Sequence, residues 1–276
     1  MSAGRSLHSH KRTLSTDDID DETIARDAGV AAAGMLAEMG GTMSKRVLAV
    51  LFVVLLFSWP ATVTAQSDEL RRAYRQGLAL YKAGRYGEAE SFFKNTLELG
   101  EQEFGPEHPN FATFLHNLAR LYQAQGRYGD AEPLYKRALL IFEKALGPEH
   151  PHVATTLNNL AALYQAQGRY ADAEPLYKSA LAIREKALGP EHPKVATGLN
   201  NLAVLYRNQG YYADAEPLYK RSLAIDEKAL GPEHPDVATS LENYAKLLRK
   251  TGRDAEAARM EARGKAIRAR HAEKNP

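Results

Sequence analysis

The chain has 276 residues, no cysteine and a formal charge of +2. So small an excess of charge gives no bulk attraction to nucleic acid. The missing thiols exclude disulfides, cysteine nucleophiles and cysteine-based zinc sites.

Residues 1–42 are polar and then alanine-rich, with an acidic cluster from Asp17 to Glu22. They hold too little large apolar surface to fold alone and are expected to be disordered. The character changes at Met43-Ser44-Lys45-Arg46, where positive charge precedes an unbroken apolar run from Val47 to Phe57. Ser58-Trp59-Pro60 closes the run, and Val63-Thr64-Ala65 has the small-residue pattern that suits signal peptidase. The run is shorter than the roughly 20 residues that cross a bilayer comfortably. Residues 43–65 therefore read as a secretory signal peptide, with an N-terminal transmembrane anchor through residues 47–64 as the alternative. The expected location is exported from a bacterial cytoplasm, periplasmic or secreted, or else anchored in the inner membrane. Translation starting at Met43 would account for the unusual lead, leaving residues 1–42 untranslated.

From Gln66 the sequence repeats. Gly-Pro-Glu-His-Pro begins at Gly105, Gly147, Gly189 and Gly231, each 42 residues after the last. A fixed period of that size marks stacked, near-identical supersecondary units. The units fall near residues 68–108, 109–150, 151–192, 193–234 and 235–270. Within one, Leu157, Leu160, Ala161 and Tyr164 share one helical face. Pro151 suits the first turn of that helix, and Gly168 suits its end at left-handed φ. A second helix is expected from about Ala171, with Ala173, Leu176, Tyr177, Ala180, Leu181 and Ile183 inward. That start sets the Pro175 nitrogen among the first amides, which need no intrahelical acceptor. Gly189-Pro190 then stops it. Each unit is thus a helical hairpin, and residues 66–276 form an all-α solenoid.

The pattern Leu-Asn-Asn-Leu-Ala-x-Leu-Tyr-x-x-x-Gly-x-Tyr-x-x-Ala-Glu-Pro-Leu-Tyr-Lys, followed by Glu-Lys-x-Leu-Gly-x-x-His-Pro, resembles the tetratricopeptide repeat in its longer kinesin light chain form. The ordinary repeat has about 34 residues. The resemblance covers Asp68 to about Ile267 and implies about five hairpins in an open arc. In the last unit Asp254, Arg259 and Glu261 replace the Tyr, Pro and Tyr of the pattern, which suits a polar terminal cap.

The resemblance also implies that the first helix of each hairpin lines a concave groove that holds short peptides. Carried over by alignment, the groove column is Asn117, Asn159, Asn201 and Asn243, beside His116, Asn158, Asn200 and Glu242. Arg120, Gln123, Gln165 and Arg207 follow along the same helices, and Arg71, Tyr74 and Arg75 take corresponding places in the first unit. Side-chain amides offer both donors and acceptors, which suits the backbone of an extended peptide. The basic residues beside them favour an acidic partner. The same amides could instead bridge neighbouring helices and hold the stack together.

His108, His150, His192 and His234 each sit beside a glutamate, but one pair per separate loop does not converge on a metal ion. No phosphate loop, nucleophile elbow or zinc-protease helix appears, and no cofactor is implied. The expected function is a non-enzymatic scaffold that binds an extended acidic peptide of a partner protein. The alternatives are an assembly or adaptor module using convex or edge surfaces in an envelope complex, and nucleic-acid binding through the basic groove.

Overall fold

The structure is a computed structural model that describes residues 60–274, with side chains from residue 67. The expected disordered segment and the apolar run of the expected signal or anchor lie outside the described residues. Ten helices and no strand occur among those described: α1 (Pro60–Lys82), α2 (Tyr86–Phe104), α3 (Pro109–Ala124), α4 (Tyr128–Leu146), α5 (Pro151–Ala166), α6 (Tyr170–Leu188), α7 (Pro193–Gln209), α8 (Tyr212–Leu230), α9 (Pro235–Lys250) and α10 (Asp254–Lys274). None of them is long and apolar enough to cross a membrane. Helix α1 begins ahead of the expected first unit and runs through the positions expected for cleavage.

The helices pair as hairpins, and the second helix of each packs on the first helix of the next. First helices also touch along the stack, α3 on α5, α5 on α7 and α7 on α9, which makes them the inner layer. Tyr135, Tyr177 and Tyr219 are buried at one position of three successive second helices, against the leucines of the first helices. Tyr122 and Tyr164 are buried as well, so the tyrosine column fills the core between units.

Four of the five letters of the Gly-Pro-Glu-His-Pro loop have a physical task. Gly147 ends α4 at φ 88° and ψ 155°, a region open essentially to glycine alone. Pro151 opens α5 at its first position, where no amide donor is needed. His150 is the N-cap: its Nδ1 accepts the backbone N–H of His152 at 3.2 Å. His108, His192 and His234 do the same for α3, α7 and α9. The ring nitrogen sits where the side-chain oxygen of a capping Asn or Asp would sit, so histidine satisfies an orphan donor of the first turn. The loop glutamates reach the next unit: Glu107 meets Lys144 at 2.6 Å, Glu191 meets Lys228 at 3.0 Å and Glu233 meets Arg270 at 2.9 Å.

Gly168 lies at φ 75° just past the end of α5. Its N–H bonds the Gln165 carbonyl, and that of Arg169 bonds the Tyr164 carbonyl, which closes the helix end on itself. The proline expectation needs correcting. Helix α6 begins at Tyr170, so Pro175 is its sixth residue and lies beyond the first turn. Pro133 and Pro217 sit likewise in α4 and α8. Each removes the bond to the carbonyl four residues earlier, at Gly129, Ala171 and Ala213. Those residues are exposed, so water can serve the freed carbonyls.

Candidate peptide groove

The inner helices carry the two expected amide columns, and the stack zips them together. Asn117 Nδ2 donates to Tyr74 Oη at 2.8 Å, and Asn159 Nδ2 meets His116 Nε2 at 3.0 Å. Asn201 Nδ2 donates to Asn158 Oδ1 at 3.0 Å, and Asn243 Nδ2 to Asn200 Oδ1 at 3.3 Å. The asparagine of one unit thus donates each time to the preceding residue of the pair in the unit before. A continuous polar seam joins α1, α3, α5, α7 and α9. The bridging role that stood beside the groove role in the sequence is present in the geometry.

Asn117, Asn158 and Asn159 are buried in this seam, as are His116 and Arg120. Arg120 Nη1 donates to Asn117 Oδ1 at 3.4 Å, with its guanidinium 5.1 Å from the Tyr81 ring centre. The bonding pattern fixes the His116 tautomer. Thr156 Oγ1 donates to the His152 carbonyl at 2.9 Å, so it accepts from His116 Nδ1 at 3.2 Å, which leaves Nε2 to accept from Asn159. Burial, with Arg120 and His152 nearby, pushes the His116 pKa down to about 3. The ring is neutral at physiological pH.

A tetratricopeptide repeat pattern matches residues 69–139, 110–186, 152–228 and 194–270 in overlapping copies. The chain belongs to the tetratricopeptide repeat family. Its repeats are of the kinesin light chain type. A putative kinesin light chain from Podosopora anserina, with nearly identical TPR-like repeats, is 30% identical, with the match covering 73% of this chain and 96% of that one at a TM-score of 0.60. BtubC (BKLC) from P. vanneervenii is 26% identical, covering 78% of this chain and 92% of its own, at a TM-score of 0.62. The apo form of RapI shares the fold at a TM-score of 0.62 and 18% identity. No curated protein matches the sequence.

Along this tetratricopeptide stack the inner face opens toward the C-terminal end. Asn200, Asn201, Arg207 and Asn243 are half-buried, in contrast to their buried counterparts on α3 and α5. Arg207 Nη1 donates to the Asn243 carbonyl at 3.3 Å, and Lys246 Nζ to Asn243 Oδ1 at 3.3 Å. Gln123, Gln165 and Arg207 occupy one position, where the first helix meets the second of its own hairpin. Gln123 Oε1 accepts from Tyr135 Oη at 2.8 Å, and Gln165 is buried with its Oε1 unbonded among the described residues. Arg75 is exposed on α1, next in the chain to the Tyr74 that accepts from Asn117. Sequence reasoning identified Tyr74 and His116 as neighbours of the column but not as its acceptors. The signal was their common spacing: each lies 43 residues before an asparagine that donates to it.

Proposed function

We propose that this chain is a non-enzymatic protein-interaction scaffold that holds an extended acidic segment of a partner protein along its inner face, over α7 and α9. The observation that carries the reading is the unspent chemistry of one asparagine pair. Asn200 Nδ2 and Asn201 Oδ1 make no hydrogen bond among the described residues, and both side chains are half-exposed. A donor and an acceptor side by side match the C=O and N–H of a passing peptide. Lys246, exposed on the next inner helix, and the half-buried Arg207 set positive charge around the pair, which favours Asp or Glu in the guest. The amides of α3 and α5 hold the stack instead, keeping the inner helices in register beneath the guest.

The export pattern of residues 43–65 makes that partner a protein of the envelope or the exterior. Fractionation of the source cells checks this, and recovery of the native protein in the cytoplasm would contradict it. The binding reading is tested by panning a random peptide library against the protein. Selected peptides should be enriched in Asp and Glu. Lys246→Glu should weaken the best of them by about tenfold while the melting temperature holds, and Asn200→Ala should weaken them by a similar factor at a small cost in melting temperature, because its Oδ1 also accepts from Asn243. Peptides without acidic enrichment, or variants that bind like the native chain, would remove the reading.

A further inference from the structure

The loops between the two helices of each hairpin form one edge of the stack, and a single chemical contact recurs along it. Arg127, the residue before α4, donates to Glu90 of the preceding unit at 2.8 Å and to Asp130 at 2.8 Å, with its guanidinium carbon 4.0 Å from the Tyr122 ring centre. Arg169 repeats the arrangement with Glu132 at 3.0 Å, Asp172 at 2.8 Å and the Tyr164 ring at 3.9 Å. Arg253 reaches Glu216 at 2.7 Å and Glu256 at 2.6 Å. In each case the glutamate also accepts from a tyrosine of the later unit's first helix: Tyr122 to Glu90, Tyr164 to Glu132 and Tyr244 to Glu216.

One place along the edge lacks its arginine. Position 211 is Tyr211, while every other receptor group is present. Tyr206 Oη still donates to Glu174 Oε1 at 3.0 Å, and Lys178 still pairs with that carboxylate at 2.7 Å. Glu174 Oε2 and the Asp214 carboxylate have no partner among the described residues. Glu174 is accordingly the most exposed of the four glutamates, at 31% against 18%, 21% and 26%. Tyr211 does not fill the slot: it is 56% exposed, and its ring stands 6.3 Å from that of Tyr206 at 64°.

We propose that Tyr206, Glu174 and Asp214, flanked by Tyr211, form a docking point for an arginine side chain presented by a partner protein. The chain itself shows what this receptor holds, since the same three groups grip a guanidinium two units before and one unit before. The planar fork of arginine meets a carboxylate at two points and lays its face on an aromatic ring, whereas an ammonium acts as a point charge. Two carboxylates and two aromatic rings at an exposed loop suit a protruding arginine rather than a buried one. The site lies on the loop edge, distinct from the amides of the inner face, so it does not depend on the groove reading.

The test is a titration of the 15N-labelled protein with N-acetyl-arginine methylamide, followed by NMR, with the lysine counterpart as control. Saturable shifts at the amides of Tyr206, Tyr211 and Asp214 are expected in the low-millimolar range, at least threefold weaker for lysine. Tyr211→Arg fills the slot from within and should abolish them, and Glu174→Gln should weaken them severalfold. Tyr211→Arg is expected to fold, because arginine already occupies this position in the other four units. Asn200→Ala should leave the titration unchanged. Absence of shifts at these residues, an equal response to lysine, or persistence in Tyr211→Arg would overturn the proposal.

Discussion

At the scale of single residues, the buried polar groups carry the sharpest consequences. His116 accepts at one nitrogen and donates at the other, so a second proton on the ring would face the Asn159 amide donor. Its folded-state pKa of about 3 lies below the roughly 6.5 of a free imidazole. The unfolded chain therefore takes up a proton that the folded chain refuses, and stability falls as pH drops from about 6.5 toward 3. Above that window the group contributes no pH dependence. His116→Asn installs the residue that nature places at Asn158 and Asn200, keeps an acceptor for Asn159, and removes the titration. Urea midpoints at pH 7.5 and 4.5 should show a smaller acid loss in the variant, by about 2 kcal/mol. Equal losses would mean that His116 is not the neutral link of the seam.

The helices and their junctions show how near-identical units can be made distinct. Gly100, Phe142, Arg184 and Asp226 occupy one position of successive second helices and are buried. Across the junctions Gly100 faces Phe114, Arg184 lies near Gly198, and Asp226 accepts from Ser240 Oγ at 2.7 Å. A small residue on one side meets a large one on the other, or two polar groups meet. A methyl group added at Gly100 would stand 2.5 Å from the Phe114 ring, whereas at Gly198 the nearest atom is the flexible Leu181 Cδ1 at 3.2 Å. Overpacking of order 1–3 kcal/mol exceeds the about 1 kcal/mol of helix propensity that alanine brings. Gly100→Ala should lower the melting temperature, while Gly198→Ala should leave it equal or higher. A raised melting temperature for Gly100→Ala would refute the close contact. The helices themselves were legible in the letters, because apolar spacing, Pro and Gly mark their faces and ends. The capping histidines and the mid-helix prolines were not, since a cap depends on where the first turn begins, and propensity blurs that by a residue or two.

For the molecule as a whole, the last helix decides whether the stack ends cleanly. Helix α10 presents Asp254, Arg259 and Glu261 where inner units present tyrosine and proline, and it covers Val237, Ala238 and Leu241 with Ile267. Leu248 of α9 is also fully buried, near Ala257 of α10. A terminal unit needs one apolar side and one polar side. Truncation after Thr251 should uncover the α9 face and convert the protein to oligomers or aggregates in size-exclusion chromatography with light scattering. A monodisperse truncated monomer would show that α10 is dispensable as a cap.

The letters alone determined the all-α solenoid, its 42-residue period and the tyrosine core, because periodicity and helix punctuation are local properties that each unit repeats. They also put the asparagine columns on the first helix of each hairpin. Only the tertiary stacking decided how those side chains are spent, since an amide on one helix finds its partner on another 43 residues away. The same stacking turned Tyr211 from an ordinary substitution into a gap in a row of arginines, for the groups that frame it come from two units, and no single segment contains them.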